Sequence, residues 1–217
     1  MNKTNQTNGR RNFLLKSAAV TAGIAGLPFV SISAENESIL SDSDLHIIGP
    51  KPGFTHQVGT LYSMMNWMRE TLLNSLKGLT VEELDYQVDE QSNSIGAMLY
   101  HLASTERYYQ LNTFDNMKWG TWDHSIKDKW DVGMNLGEAA RDKIKGNDLQ
   151  DYLDLLSEVR QATIDEFKKR DDGWLFTRDM DWPWGPTNNY CKWFHVCEHE
   201  SNHNGQIKWI KKRLKGR

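Results

Sequence analysis

The segment Trp193–Leu214, with the sequence WFHVCEHESNHNGQIKWIKKRL, decides the predicted fold of this chain. At about 3.6 residues per turn it forms a helix with an apolar stripe and an opposite polar face. The stripe carries Val196, His199, His203, Ile207, Ile210 and Leu214, and the polar face carries Glu198, Ser201, Lys208 and Lys212. Two imidazoles in an apolar stripe need partners, because an unpaired buried polar group costs about 1–3 kcal/mol. A metal ion would satisfy both histidines together.

Three other long segments show helical spacing of their apolar residues. They are Thr55–Leu76, Ile95–Leu111 and Leu149–Lys169. Ser94 and Asp148 precede the second and third segments and are predicted to cap them. Tryptophan-rich connections at 112–147 and 171–189 join the helices, and the first connection includes a predicted short helix at Glu138–Lys145. Four long amphipathic helices without a strand-rich region predict an all-α fold, a four-helix bundle with long connections.

His101 offers the third ligand of a predicted metal site. It lies at the core-facing edge of the second long helix, whereas His199 and His203 lie one turn apart on the last helix. Three neutral imidazoles leave coordination positions open, and such a site suits a divalent ion of Zn, Ni, Fe or Mn. The alternative is an HxxxH spacing that arises by chance, with structural hydrogen bonds to each ring. The presence of His101 on a second helix favours the metal site.

Glu106 is the candidate catalytic residue. It falls within the apolar face of the second helix, five residues after His101, where an unpaired carboxylate would be costly. Its carboxylate can orient a metal-bound histidine, act as a general base toward water, or serve a structural hydrogen-bonding role. His195, one turn before His199, can line the site or be a structural histidine. The aromatic pair Trp182 and Trp184 can wall a pocket in front of the last helix.

The first 34 residues have the composition of an export signal. Their charged residues are Lys3, Arg10, Arg11 and Lys16, with no Asp or Glu. Residues 9–16, GRRNFLLK, resemble the twin-arginine motif except that Gly9 stands where Ser or Thr is usual. The apolar run that follows is shorter than the roughly 20 residues of a membrane span. We therefore predict a twin-arginine export signal at 1–34, a linker at 35–53 and a folded domain at 54–217.

This organisation predicts where the protein is located and which partners it has. The twin-arginine export machinery would carry the folded chain to the periplasm or another extracytoplasmic compartment, and an uncleaved signal would tether it to the membrane. Removal of residues 1–34 takes four basic residues and no acidic ones, so 22 basic and 29 acidic residues remain, a net charge of −7. This charge disfavours nucleic acid as a partner, and the expected ligand is an unidentified small-molecule substrate. Cys191 and Cys197, six residues apart on one helix, cannot form a disulfide with each other.

Two segments carry a motif set that occurs in a known family. The first contains Ser94-Ile95-Gly96, His101-Leu102-Ala103 and Glu106, and the second contains His195-Val196, Glu198-His199-Glu200, His203 and Gly205-Gln206-Ile207. Over about residues 54–215 the chain resembles the DinB-like (YfiT-like) metalloenzyme superfamily. The resemblance implies a four-helix bundle that binds a divalent metal through His101, His199 and His203 and often pairs into a homodimer. Asn204 departs from the pattern, because family members often have Arg at this place.

The resemblance also implies two classes of reaction. Some relatives are thiol-dependent transferases or isomerases that use bacillithiol, mycothiol or glutathione, and others resemble metal-dependent hydrolases. Because these thiols are cytoplasmic, an exported protein fits the hydrolase class better. We therefore expect an exported, hydrolase-like metalloenzyme. The alternatives are a thiol-dependent S-transferase and a non-catalytic protein that binds a metal or a small ligand.

Overall fold

The structure, a computed structural model, describes residues 44–214. The predicted export signal and residues 35–43 of the predicted linker lie outside this range. The elements within it are α1 (His56–Leu76), α2 (Val81–Leu84), α3 (Ile95–Thr113), α4 (His124–Asn135), α5 (Gly137–Lys143), α6 (Leu149–Phe167), α7 (Asp172–Leu175), β1 (Arg178–Asp179), β2 (Thr187–Asn188) and α8 (Asn189–Lys211). The predicted all-α fold is confirmed.

Helices α3 and α6 begin directly after the predicted caps Ser94 and Asp148, whereas α8 begins at Asn189, four residues before the predicted Trp193. The Ser94 hydroxyl accepts a hydrogen bond from the Ala97 backbone N–H at the start of α3. Asp148 caps α6 in a reciprocal pair with Asp151, and Asn188 caps α8. These side chains satisfy N–H groups that lack a partner within the helix, so each helix has a defined first turn.

Helices α1, α3, α6 and α8 form the bundle. Helix α8 packs against α1 and α3, and α6 packs against α3 and meets α1. Helix α4 packs against α3. Strands β1 and β2 form a short antiparallel pair between α7 and α8, in which Arg178 is opposite Asn188. The last helix therefore lies between two neighbours and brings its apolar stripe against α3.

A layer of buried charge divides the bundle core into two apolar parts. On α1, Arg69 lies between Met65 of one apolar cluster and Leu72 of the other. Each of the other bundle helices contributes one buried charged residue to this layer. The four residues are Arg69 on α1, Glu106 on α3, Arg160 on α6 and Glu200 on α8. Two positive and two negative charges thus cross the core at one level.

The segment before α1 contacts the bundle. The Lys51 ammonium donates to the carbonyl oxygen of Ile47 at 3.0 Å, and the Gly49 N–H donates to Ser63 Oγ of α1 at 3.2 Å. These residues belong to the predicted linker, and the structure places them against the first helix. No helix within residues 44–214 has the length and apolar character that crossing a membrane requires.

Candidate metal centre

The three histidines that the sequence predicted as ligands lie together. The Nε2 atom of His199 is 3.3 Å from Nε2 of His101 and 3.1 Å from Nε2 of His203. His101 comes from α3 and the other two from α8, so the site joins neighbouring helices. The ligand atoms of all three residues lie within 4.8 Å of one another, a spacing at which one ion can reach them all.

The orientation of His101 depends on helix α4. Its Nδ1 atom lies 3.0 Å from the carbonyl oxygen of Gly133, so this nitrogen carries a proton and donates it to the backbone. Gly133 permits this close approach, because a Cβ there would lie 2.3 Å from Tyr100 Cδ1 and 2.4 Å from Ser104 Oγ. A hydrogen bond from the second nitrogen to a backbone carbonyl is the usual support of a metal-binding histidine. It leaves the lone pair of His101 Nε2 directed at the other two rings.

Hydrogen bonds between the three rings cannot satisfy all of their nitrogens. If His199 Nε2 carries a proton, it can donate to His101 but cannot accept from His203. If it carries a lone pair, it faces the lone pair of His101. One of the two short contacts is therefore without a hydrogen bond in either tautomer. A cation accepts the lone pairs of all three rings, and the residues present therefore fit a divalent ion.

The surroundings keep the three imidazoles neutral. Burial, followed by repulsion from the other histidines, lowers the pKa of His199 to about 3. Burial and His101 lower the pKa of His203 to about 4, and burial also lowers the pKa of His101. Among the residues that the structure describes, the Nδ1 atoms of His199 and His203 are buried without a hydrogen-bond partner. Neutral rings are the form that binds metal.

Glu106, the predicted catalytic carboxylate, lies in the charged layer. It accepts hydrogen bonds from Arg160 Nε at 2.8 Å, from Arg69 Nη2 at 3.1 Å and from Thr163 Oγ1 at 2.6 Å. Burial alone would raise its pKa, but Arg160 and Arg69 outweigh this and hold the pKa of Glu106 below its ordinary value. Of the three roles that the sequence left open, these contacts support the structural one.

The second carboxylate of the layer belongs to α8, the helix that carries His199 and His203. Glu200 follows His199 directly, and its Oε1 accepts from Arg160 Nη2 at 2.8 Å and from Arg69 Nε at 2.9 Å. A further contact joins Arg69 Nη2 to the same oxygen. The sequence did not predict Arg69 or Arg160 as part of this region. Together with Glu106 they fix the positions of α3 and α8, the two helices that carry the histidines.

His195 extends the site by one turn of α8. Its ring is stacked on the His199 ring with centroids 5.1 Å apart, and its Nδ1 lies 2.8 Å from the Tyr109 hydroxyl. Trp184, from the connection between β1 and β2, meets the His195 ring edge-on with centroids 4.9 Å apart. Trp182 is buried and packs against Tyr109. The sequence allowed two roles for His195, as a residue that lines the site or as a structural histidine.

Three other sequence predictions concern α8. Cys191 is exposed and Cys197 is buried, and both are free cysteines, as their spacing predicted. Burial raises the pKa of the Cys197 thiol to about 11, which makes it unreactive. Asn204, where Arg is usual in the family, is buried one residue after His203. Within residues 44–214 its Oδ1 atom has no hydrogen-bond partner.

Crystal structures of three bacterial proteins share the fold. A protein from Streptococcus pneumoniae is 15% identical with a TM-score of 0.56, and the alignment covers 72% of this chain and 91% of that chain. An uncharacterized protein from Clostridium difficile is 14% identical with a TM-score of 0.54, with 72% and 96% covered. A conserved protein from Enterococcus faecalis is 15% identical with a TM-score of 0.53, with the same coverage. At these identities the likeness concerns the fold alone.

Comparison of the sequence with known families gives a more specific result. No functionally curated protein matches the chain. The family model described as mycothiol-S-transferase matches residues 60–216, well over half of the chain, and this range includes His101, His199 and His203. The chain therefore belongs to the mycothiol-S-transferase family, a DinB/YfiT-like family.

Proposed function

We propose that the protein is a metal-dependent enzyme in which His101, His199 and His203 hold a divalent ion of zinc, nickel, iron or manganese. The observation that carries this proposal is the meeting of three neutral Nε2 atoms from two helices, with contacts of 3.1 and 3.3 Å. A bound divalent ion supplies Lewis-acid chemistry, which favours the deprotonated form of a thiol or of water and stabilises developing negative charge.

The residues of the chain give this site one accessible side. His101 and His203 are 8% and 7% exposed, whereas His199 is partly exposed. A substrate would therefore approach over His199. We assign Glu106 a positioning role, because its hydrogen bonds go to Arg69, Arg160 and Thr163 within the core.

For the reaction we propose attack of a thiol sulfur on an electrophilic carbon, in which the thiol loses its proton and the carbon loses its leaving group, such as a halide; the description of the family supports this. The second candidate is metal-dependent hydrolysis, which the predicted export signal favours because cytoplasmic thiols are not supplied outside the cytoplasm. Both reactions place negative charge on an attacking sulfur or oxygen atom. The three-histidine site suits either attacking group.

Metal analysis of the purified full chain tests the site. We expect about one equivalent of divalent metal in the wild type and in a control variant, His124→Ala, which replaces an exposed histidine at the start of α4. The variant His199→Ala should lose most of this metal, because the central ligand is removed. Equal metal content in the wild type and in His199→Ala would refute the site.

A pair of assays separates the two reactions. The metal-loaded protein is incubated with mycothiol and a halogenated aromatic electrophile, and separately with a chromogenic ester. Thioether formation that disappears in His199→Ala supports S-transfer, whereas ester cleavage with the same dependence supports hydrolysis. Thioether formation at the rate of the buffer control would contradict the first candidate.

We further propose that the chain is exported by the twin-arginine route to a location in which hydrolysis would be the reaction, because the thiol substrate of S-transfer is cytoplasmic. The support is the sequence of residues 1–34, with Arg10 and Arg11 before an apolar run. Cell fractionation should find the wild type outside the cytoplasm, and the double variant Arg10→Lys/Arg11→Lys should remain inside. An unchanged distribution in the double variant would contradict this proposal.

A further inference from the structure

We infer that His195 and Trp184 form the substrate-binding surface of the metal site, where His195 donates a hydrogen bond to an oxygen acceptor and Trp184 packs against a flat apolar group. This inference rests on the proposed metal site. The surface consists of the neighbouring rings of Trp184, His195 and His199, which we call the aromatic strip. It runs from solvent to the partly exposed metal ligand.

The hydrogen bonds of His195 determine which nitrogen faces the ligand. Burial raises the pKa of Tyr109, so the phenol keeps its proton. Its hydroxyl lies 2.8 Å from His195 Nδ1, and donation of that proton to Nδ1 satisfies both groups. The neutral ring then carries its proton on Nε2. The opposite tautomer would leave the phenol proton unpaired and direct the Nε2 lone pair at the Glu198 carboxylate.

The Nε2–H group of His195 is available to a ligand. Glu198 Oε1 lies 3.8 Å from this nitrogen, which is longer than a hydrogen bond. The side chain of His195 is 28% exposed. Within residues 44–214, therefore, this donor has no partner at hydrogen-bond distance, although Tyr109 fixes the orientation of its ring. A fixed donor beside a metal site provides directional recognition of an oxygen atom.

Trp184 supplies the apolar part of the surface. It is 58% exposed, an unusual position for the largest apolar side chain. Its ring is held against Trp182, with centroids 5.5 Å apart and planes nearly perpendicular, and Trp182 itself is buried. The exposed ring therefore has a rigid support. A flat apolar group on Trp184 could place its oxygen substituent at His195 and its reacting end at His199.

The predicted ligand class is a small molecule with an aromatic or other flat apolar body and a carbonyl or hydroxamate-like oxygen. Cobalt-loaded full-length protein with two hydroxamate probes tests this, because the visible spectrum of bound Co²⁺ reports the metal and its added ligand separately. Benzohydroxamate has the flat body, and acetohydroxamate lacks it. The wild type should bind benzohydroxamate more tightly than acetohydroxamate.

Two substitutions should affect the probes differently. Trp184→Ala should abolish the preference for benzohydroxamate. His195→Phe keeps a flat ring without a donor and should weaken both probes about tenfold, the equivalent of one lost hydrogen bond. His195→Gln should recover part of this loss, because its amide nitrogen can occupy the place of Nε2. A purely structural role of His195 would not distinguish Gln from Phe in this way.

The controls separate failure of this inference from failure of the metal site. Trp209→Ala replaces a different exposed tryptophan, which lies on α8, and His124→Gln replaces an exposed histidine; both variants should retain wild-type probe affinities. Circular dichroism verifies that each variant is folded. Two results would overturn this inference alone, provided that the variants bind cobalt normally. They are unchanged probe affinities in His195→Phe and an unchanged preference for benzohydroxamate in Trp184→Ala. A wild type that binds no more cobalt than His199→Ala overturns the metal site and this inference together.

Discussion

Replacement of Glu106 by Gln tests the charged layer most directly. The substitution keeps the size of the side chain and removes one negative charge from a group of two arginines and two glutamates. Arg69 and Arg160 would then share a single carboxylate, Glu200, inside the core. The new amide N–H group would also face a hydrogen-bond donor in place of an acceptor. Thr163 Oγ1, for example, donates to Glu106 Oε1 at 2.6 Å in the wild type.

The expected loss of stability follows from these contacts. Breaking a buried ion pair by removing one partner costs about 3–5 kcal/mol, because the remaining charge is left without compensation. A domain of this size has about 5–15 kcal/mol of stability in total. Glu106→Gln should therefore remove a large fraction of the free energy of unfolding. The double variant Glu106→Gln/Arg160→Met removes one charge of each sign and should lose at least about 1 kcal/mol less than the sum of the single variants.

Urea denaturation followed by circular dichroism provides the measurement. The control is Glu166→Gln on the same bundle, where Glu166 pairs with Lys169 and Arg170 at the surface. Surface pairs contribute about 0–1 kcal/mol, so this variant should remain close to the wild type. A loss below about 1 kcal/mol in Glu106→Gln, or full additivity with Arg160→Met, would refute the reasoning.

Three further predictions concern the histidines. Gly133→Ala should force α4 away from α3, lengthen the hydrogen bond between Gly133 and His101, and lower metal affinity roughly tenfold or more. A competitive chelator titration measures the metal affinity. An affinity equal to that of the wild type would contradict this prediction. Without metal, the free energy of unfolding should be greatest above about pH 6.5 and should fall as the pH decreases. The pKa values of His199 and His203 in the folded chain, about 3 and about 4, lie below the value in the unfolded chain, so the unfolded chain binds protons first. Each of the two histidines should therefore lower the free energy of unfolding by up to about 1.4 kcal/mol per pH unit. Urea midpoints in chelator that do not change between pH 7 and pH 5 would oppose this. Zinc at 100 times its dissociation constant should raise the free energy of unfolding by about 2.7 kcal/mol in the wild type and by much less in His199→Ala, and equal shifts would disprove it.

The sequence predicted the bundle well where helix formation depends on local signals. The apolar spacing of α1, α3, α6 and α8 and the caps Ser94 and Asp148 are properties of neighbouring residues, so they are visible without tertiary information. Helix α4 was missed and placed within a long connection. Only Trp130 and Gly133 of this helix are buried, and its apolar stripe is limited to Ile126, Trp130 and Met134, which is too short to stand out within a connection rich in tryptophan and glycine.

The cluster of three histidines was predictable from the sequence, and the charged layer was only partly so. His199 and His203 were recognisable because polar residues interrupted an apolar stripe, and Glu106 was noted for the same reason. The burial of Arg69 and Arg160 could not be recognised from the sequence, because a long basic side chain on a helix is usually exposed to solvent. Their carboxylate partners are 37 to 131 residues away along the chain. No local pattern could have identified those pairs.

The charged layer includes one residue each from α3 and α8, the two helices that carry the three histidines, so a carboxylate that does not contact an ion can still affect metal binding. Three Nε2 atoms stay within reach of one ion only if α3 and α8 keep their relative position along the bundle. Apolar layers tolerate small sliding movements of one helix along another. The hydrogen bonds of Glu106 and Glu200 to both arginines tolerate such movements poorly, because they are directional. We interpret the layer as the element that sets the register of α3 against α8. His101 and His199 therefore meet because charges five and one residues further along their helices are paired across the core.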